Sequence, residues 1–323
     1  MMTASLLLAV DGGNSKTDLA VVSSQGELLA TVRGPGFRPH THGVHGAVER
    51  LSDSVSAALA QAGADKVNHL SACLAGADSP EDEQQLEEAL AARGWALSVR
   101  VQNDTFALLR VGSAGGHGVA VVCGAGINCV GSNADGRTLR FPSLGRITGD
   151  WGGGWELGNE ALWHGIRAED GRGPGTVLAT AVAAHFGLAT ALDVGLALHR
   201  GDLDGERLNT LAPVLMDAAE AGDAVAREIS DRLAEEVVGM GEVALRRVGL
   251  LDRPAEVVLG GGVLTARRAV LMDTIEWRFA ERAPFAHLIV ADAPPVLGAA
   301  LYGLDRLDAS ATAHDALRAA YRT

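Results

Sequence analysis

Cysteine is scarce in this chain. Three among 323 residues cannot all pair, so a disulfide framework is excluded. Aromatic residues make up only 4 %. Positive charge is also short: 27 Lys and Arg against 40 Asp and Glu leave a net charge of −13, with an isoelectric point near 5.2. That balance argues against nucleic acid or an anionic membrane as the main partner. The N-terminal apolar run is too short for a membrane span and has no basic segment before it, so the reading is a cytoplasmic protein with no membrane partner.

What remains is globular. Hydrophobic residues are 47 % and charged residues 21 %, and the length predicts two domains. Glycine is plentiful, with 41 residues. It clusters after apolar runs, where a turn without side chains lets backbone approach a ligand.

The first such place is Leu6–Asp18, LLLAVDGGNSKTD. An apolar run, a tight turn at Gly12 and Gly13, and a second run at Leu19–Val22 predict strand, turn, strand. Successive N–H groups of such a turn can form an anion nest, and Asp11 at the strand end is placed to hold a cation through water. The same pattern also describes an ordinary hairpin.

Gly34–Gly43 reads as a loop, followed by one helix carrying Val44, Val48, Leu51, Val55 and Leu59 and closed by Gly63. His40, His42 and His45 in that region raise solvent or substrate contact ahead of a metal site. A strand at Val67–Ala75 runs into Gly76-Ala77-Asp78. Ser79 is a predicted N-cap with Pro80 behind it. The strand Leu97–Val101 ends at Gln102-Asn103-Asp104-Thr105. Asp104 there either caps the next helix or points into the crevice where α/β sheets bind ligands.

Val119–Gly131 repeats the opening pattern: apolar strand, Gly-rich turn, second strand. The turn holds Gly124, Ala125, Gly126 and Asn128. The repeat, roughly 110 residues after the first, predicts two similar domains that each contribute a phosphate loop. Neither loop fits GxxxxGK[ST] or a dinucleotide fingerprint. Cys123 and Cys129 read as small buried residues flanking the turn. Gly149–Gly158, GDWGGGWELG, with Asp150 and two Trp among its glycines, reads as a ligand wall leading to a helix at Glu160–Ile166. Residues 173–250 read as mostly helix. Glu256–Leu259 enters a third Gly turn, Gly260, Gly261 and Gly262, with a helix expected at Thr265–Ala283.

The ordered set VDGGNSKTD, QNDT, VVCGAGINCVG, GDWGGG, VLGGGV and PPVLGAA resembles the N-acetylglucosamine kinase branch of the BadF/BadG/BcrA/BcrD ATPase family, within the actin, sugar kinase and Hsp70 superfamily. The resemblance implies an α/β fold of two ribonuclease-H-like, actin-like ATPase domains flanking a cleft. The first would span 1–112 plus 297–323 and the second 113–296. It implies ATP and Mg²⁺, with Gly12, Gly13, Asn14, Ser15, Lys16 and Thr17 as one phosphate loop, Gly124, Ala125, Gly126 and Asn128 as the other, and Gly260–Gly262 at the adenosine. Asp11 would orient Mg²⁺ and Asp104 would be the catalytic base. Asn103, Asp104, Asp150, Gly149, His40 and Gly145 would contact the sugar. A homodimer is implied as well.

The expected activity is phosphorylation of a hydroxyl, the 6-OH, of N-acetylglucosamine or a related amino sugar. The alternatives are a kinase of glucosamine, N-acetylmuramate or a plain hexose, and an ATPase activator of a dehydratase. A sugar-sensing regulator would need a DNA-binding module, for which no segment is expected. The chain departs from the family at GFRPH (36–40), which lacks an Asn, at GAGI (124–127), which lacks hydroxyls, and at Trp151, where Glu is common.

Overall fold

The computed structural model describes residues 5–113 and 115–322. The chain forms two compact units, Met1–Gly118 with Ala291–Thr323, and Val119–Val290.

The first unit is built on a five-stranded sheet. Its strands are β1 (Leu6–Gly12), β2 (Lys16–Ser23), β3 (Leu28–Pro35), β4 (Val67–Leu74) and β5 (Ala96–Asn103), in the order β3-β2-β1-β4-β5. β2 lies antiparallel to β1 and β3, while β4 runs parallel to β1 and β5. The near-continuous apolar run of β1 follows from cover on both faces. Leu8 and Val10 enter one core and Leu7 and Ala9 the other. The first core lies under α1 (Pro39–Glu49), α2 (Ser52–Gln61) and α3 (Pro80–Ala91). The second lies under α4 (Asp104–Gly112) and the helix Pro295–Arg306.

The expected single helix from Val44 is two. α1 begins at Pro39, with Gly43 as a left-handed break inside it, and α2 follows after Arg50 and Leu51. His40, His42 and His45 are therefore on a helix, because Pro39 provides a first-turn φ and needs no N–H partner there. Ser79 does cap α3: its hydroxyl accepts from Asp82 N–H at 3.1 Å while the Asp82 carboxylate accepts from Ser79 N–H at 2.9 Å.

The C-terminal segment is bound to this unit by charge. Arg110, 4 % exposed, donates two hydrogen bonds to Asp305 at 3.1 and 3.2 Å. Arg318 donates to the carbonyls of Val111, Arg110 and Ser113 at the end of α4.

The second unit repeats the topology. β6 (Gly118–Cys123), β7 (Ile127–Ser132), β8 (Thr138–Arg140), β9 (Ala255–Gly260) and β10 (Ala286–Val290) lie in the order β10-β9-β6-β7-β8. Read from the other edge, this is the order of the first sheet. Between β8 and β9 the chain is mostly helix, including α5 (Gly153–Glu169) and the 24-residue helix Ala224–Arg247. The helix expected at 265–283 is interrupted: a short turn, Gly262–Thr265, precedes the helix Ala269–Arg282.

Among the described residues, no single helix is long and apolar enough to cross a membrane.

Candidate active site

The parallel core of the first sheet, β1-β4-β5, brings three strand ends to one edge. Register pairs Asp11 with Cys73, Cys73 with Gln102 and Leu74 with Asn103. Asp11, the turn after β4 and the start of α4 therefore share one side of the unit.

The β1–β2 connection is a tight hairpin. Gly13 N–H donates to Lys16 O at 3.0 Å, so this N–H is spent within the turn and not offered to an anion. Thr17 also departs from the reading. It is fully buried in β2, and its hydroxyl donates to Pro35 O at 2.7 Å. Asn14, Ser15 and Lys16 are exposed at the turn. Lys16 Nζ lies 2.9 Å from Asp18, which Arg33 also holds; together they keep the Asp18 carboxyl below its usual range against the opposing effect of burial. The unusual segment 36–40 braces this hairpin. Phe37, completely buried, donates its N–H to Gly13 O at 2.9 Å, and Arg38 Nε donates to Asn14 O at 2.7 Å.

Asn103, not Asp104, is the N-cap of α4. Its Oδ1 accepts from Thr105 N–H at 3.0 Å and its Nδ2 donates to Asp78 Oδ1 at 3.0 Å. Asp104 takes the first helical position. Burial foremost, and then the charge of Asp78, pushes its pKa up to about 6. Asp11 is pushed up to about 7, by burial first and then by the charges of Asp104 and Asp18. Two carboxylates with pKa values near neutrality, close enough to feel one another, mark a site suited to proton transfer and cation binding. His40 Nε2 stands 3.5 Å from Asp78 Oδ2. Asp78 is the member that motif reading missed; a carboxylate directly after a parallel strand was the available signal.

In the second unit, three glycine segments far apart in sequence converge. Gly124 N–H donates to Gly126 O, while Gly124 O and Ala125 O accept from Gly154 N–H and Trp155 N–H at 2.8 and 2.9 Å. The loop carbonyls thus satisfy the first N–H groups of α5. A Cβ on Gly153 would lie 2.4 Å from Gly126 Cα, and one on Gly261 would lie 2.4 Å from the Cys123 carbonyl carbon. Both glycines also have positive φ, +86° and +81°. Gly152–Gly154 therefore packs against the loop, and α5 starts at Gly153 rather than at Glu160, where the helix was expected. Ala125 and Gly126 are exposed. Gly260 ends β9 in register with Val122, and the short turn starting at Gly262 carries Thr265, whose hydroxyl donates to Gly261 O.

Asn128 Oδ1 accepts from Cys129 N–H and from Ser143 Oγ at 2.7 and 2.6 Å. Asp150, 7 % exposed, donates its N–H to Gly145 O at 3.2 Å and accepts from the Thr148 hydroxyl. Gly149 closes that turn. Trp151 is buried, with the Arg232 guanidinium 3.9 Å from its ring centroid.

All three cysteines are fully buried, and burial raises each thiol, Cys123 to about 12. Among the described residues no three His, Cys, Asp or Glu side chains are grouped to hold a metal ion.

Residues 8–303 match the BadF/BadG/BcrA/BcrD ATPase family. The chain belongs to this family. This BadF/BadG-type ATPase is 25 % identical over 316 residues to the N-acetyl-D-glucosamine kinase of Dictyostelium discoideum, covering 94 % of this chain and 99 % of that one. It is 27 % identical over 235 residues to the N-acetylmuramic acid/N-acetylglucosamine kinase of Clostridium acetobutylicum, covering 72 % and 76 %. Among solved structures, a protein provisionally named N-acetylglucosamine kinase from Chromobacterium violaceum superposes with a TM-score of 0.72 at 23 % identity, over 92 % of this chain and 98 % of that one. A ROK family glucokinase from Streptomyces griseus, in complex with glucose and AMPPNP, gives 0.56 at 19 %, over 92 % and 98 %. The two five-stranded sheets are those of the actin-like ATPase sugar kinase fold.

Proposed function

We propose that this chain is an ATP-dependent kinase that transfers a phosphoryl group to a hydroxyl, the 6-OH, of N-acetylglucosamine or a related amino sugar. The observation that carries this reading is the pairing of Asp104 with Asp11 at one sheet edge, the first with a pKa near 6 and the second beside the hairpin turn. The names of the relatives supply the acceptor class.

Phosphoryl transfer needs little covalent chemistry from the protein and depends on positioning and charge stabilisation. Asp104 accepts the proton of the attacking hydroxyl; a carboxylate with a pKa near 6 is ionised at neutral pH yet basic enough to take it. Asn14, Ser15 and Lys16, on the turn formed by Gly12 and Gly13, hold phosphate oxygens in the first unit, and Gly124, Ala125, Gly126 and Asn128 hold them in the second. Gly260–Gly262 borders the adenosine. In the sugar assignment, Asn103 caps the helix that begins at Asp104, His40 and Asp150 take hydroxyls, and Gly145 and Gly149 shape the turn that carries Asp150.

Asp11 fits Mg²⁺: it is a buried carboxylate whose ionisation is costly until a cation neutralises it. A single such ligand suits an ion held mostly by water and nucleotide phosphates. When bound, Mg²⁺ supplies charge neutralisation on the transferred phosphoryl group.

The dehydratase-activator alternative requires cysteines that ligate an iron–sulfur cluster between subunits. Cys73, Cys123 and Cys129 do not fit, since each thiol is sealed within its own sheet. The test is ATP turnover and sugar phosphate formation against a panel of hexoses, hexosamines and N-acetylhexosamines. Saturable phosphate transfer to an amino sugar is expected; ATP hydrolysis with no acceptor dependence would overturn the reading.

A further inference from the structure

Large apolar side chains are unevenly exposed on this protein. Eleven stand open among the described residues, and eight of them fall within residues 144–196 of the second unit. α5 is the centre of that region. Trp155, Asn159, Trp163 and Ile166 recur at spacings of four, four and three, which sets them on one side of the helix. α6 (Leu178–Phe186) and α7 (Ala191–Arg200) pack against α5 and against each other. α7 comes close beside Ile166: a Cβ on Gly195 would lie 3.1 Å from Ile166 Cδ1. Leu192 and Leu196, one turn apart and both exposed, flank that contact. The same side of α5 borders an open cavity of about 560 Å³, lined by Asn159, Trp163, Ile166 and Arg146 among others. Through Arg146 the turn that carries Asp150 joins the surface. Leu144 and Ile147 of that turn are exposed, Ile147 at 86 %.

The size of this surface exceeds what a monomer ordinarily leaves open. The largest apolar patch of a typical monomer is about 300–600 Å². Eight large side chains, each leaving on the order of 100 Å² to solvent, come to roughly the 800 Å² that one partner contributes to a standard-size interface.

Charge selects the occupant. Residues 144–196 hold three Arg and no Lys against six acidic residues, the wrong balance for an anionic lipid surface. A second copy of a chain with net charge −13 can approach only across a face whose charges are already paired. They are paired here. Arg146 holds Glu156 and Glu160 at 2.7 and 3.2 Å, and Arg172 holds Asp170 at 2.6 Å. Glu169 accepts from the N–H groups of Ala191 and Leu192 that open α7, and the Arg167 guanidinium lies 4.5 Å from the Trp163 ring centroid.

We propose that the face made by α5, α7 and the 144–148 turn is where two copies of this chain associate about a two-fold axis, and that the partner braces the turn carrying Asp150. A two-fold axis sets the same apolar patch against itself, so no second kind of surface is needed. Covering Leu144 and Ile147 fixes a turn that is otherwise held by short-range bonds: Leu144 N–H to Thr148 Oγ1 at 3.0 Å and Asp150 N–H to Gly145 O at 3.2 Å. The bracing rests on the kinase reading above; the association does not.

The experiment is sedimentation equilibrium of the full chain at low and high micromolar concentration, with Trp163→Glu and Leu192→Glu as independent variants. Both positions are about half exposed, so folding is expected to survive, which melting curves check. The wild type is expected to be a dimer. Each substitution enters a two-fold interface twice and should raise the dissociation constant at least about 100-fold. Trp277→Glu, equally exposed but outside the region, should leave association unchanged. A wild type that stays monomeric overturns the proposal, also where it sediments with phosphatidylserine vesicles instead. So does a dimer that both variants leave intact, or one that Trp277→Glu weakens as much. In whichever variant is monomeric, the KM for N-acetylglucosamine should rise about tenfold with the KM for ATP unchanged. A monomer with the wild-type KM for the sugar overturns the bracing. A wild-type dimer that phosphorylates no amino sugar overturns the kinase reading and leaves the interface standing.

Discussion

Gly153 and Gly126 touch backbone to backbone: no side chain fits between them, since a Cβ on Gly153 would lie 2.4 Å from Gly126 Cα. The start of α5 thereby seats the turn read as the second phosphate loop, through the hydrogen bonds from Gly154 and Trp155. Gly153→Ala introduces both this clash and a side chain at positive φ. It is expected to lower the thermal midpoint by several degrees and to weaken ATP binding at least tenfold. Calorimetric titration with an ATP analogue, beside a melting curve, checks it. Unchanged affinity would mean that the 124–126 turn does not hold nucleotide.

Asp104→Asn removes the proposed base while leaving a polar group at the first position of α4. Turnover is expected to fall about 10² to 10⁴-fold, with ATP affinity kept within a few-fold. Near wild-type turnover on the true acceptor would remove Asp104 from the mechanism.

The pH profile follows from the same residue. Its pKa, near 6, is raised, so below pH 6 it holds a proton and cannot accept another. The plot of log kcat/KM should therefore fall on the acid side with a midpoint near 6 and a slope of one. A flat profile down to pH 4.5 would contradict the assignment.

Asp11 makes a prediction about stability. Its folded pKa, near 7, lies above the ordinary value of 3.8. Below 3.8 both folded and unfolded chains hold the proton and nothing is lost. Between 3.8 and 7 the unfolded chain ionises first, and stability falls as pH rises, levelling off above 7. Asp11→Asn should therefore make the metal-free protein more stable than wild type at pH 8, by about 4 kcal/mol at most, and equal to it near pH 3.5. Urea denaturation at the two pH values decides this, and a stability gain confined to low pH would refute it.

Ser79→Ala deletes one half of a reciprocal cap on α3. The loss should be about 1 kcal/mol in urea, with kcat unchanged, because α3 carries no group assigned to the chemistry.

Much of this fold is legible in the amino-acid sequence. β1 and β2 follow from apolar runs on either side of Gly12 and Gly13, and the cap at Ser79 from its Pro80 and Asp82 neighbours. The repeat of strand, Gly turn and strand anticipated a topology that both sheets share. Local misreadings have local causes. Pro39 starts a helix within a Gly-rich segment, and α5 begins at Gly153 because the N–H groups of Gly154 and Trp155 find the carbonyls of Gly124 and Ala125 rather than a side-chain cap. Thr17 looked like part of a polar loop, yet the β2–β3 pairing turns it inward to Pro35 O.

The sequence alone determined the elements, their order and the glycine turns, because hydrophobic period and backbone freedom are properties of neighbours along the chain. Tertiary structure decided which turns meet. Gly126, Gly153 and Gly261 converge across more than 130 residues, and Asp78 reaches Asn103 and His40 only because β4 inserts between β1 and β5. Burial and the approach of like charges, which raise Asp11 and Asp104 toward neutrality, exist only once the strands pair.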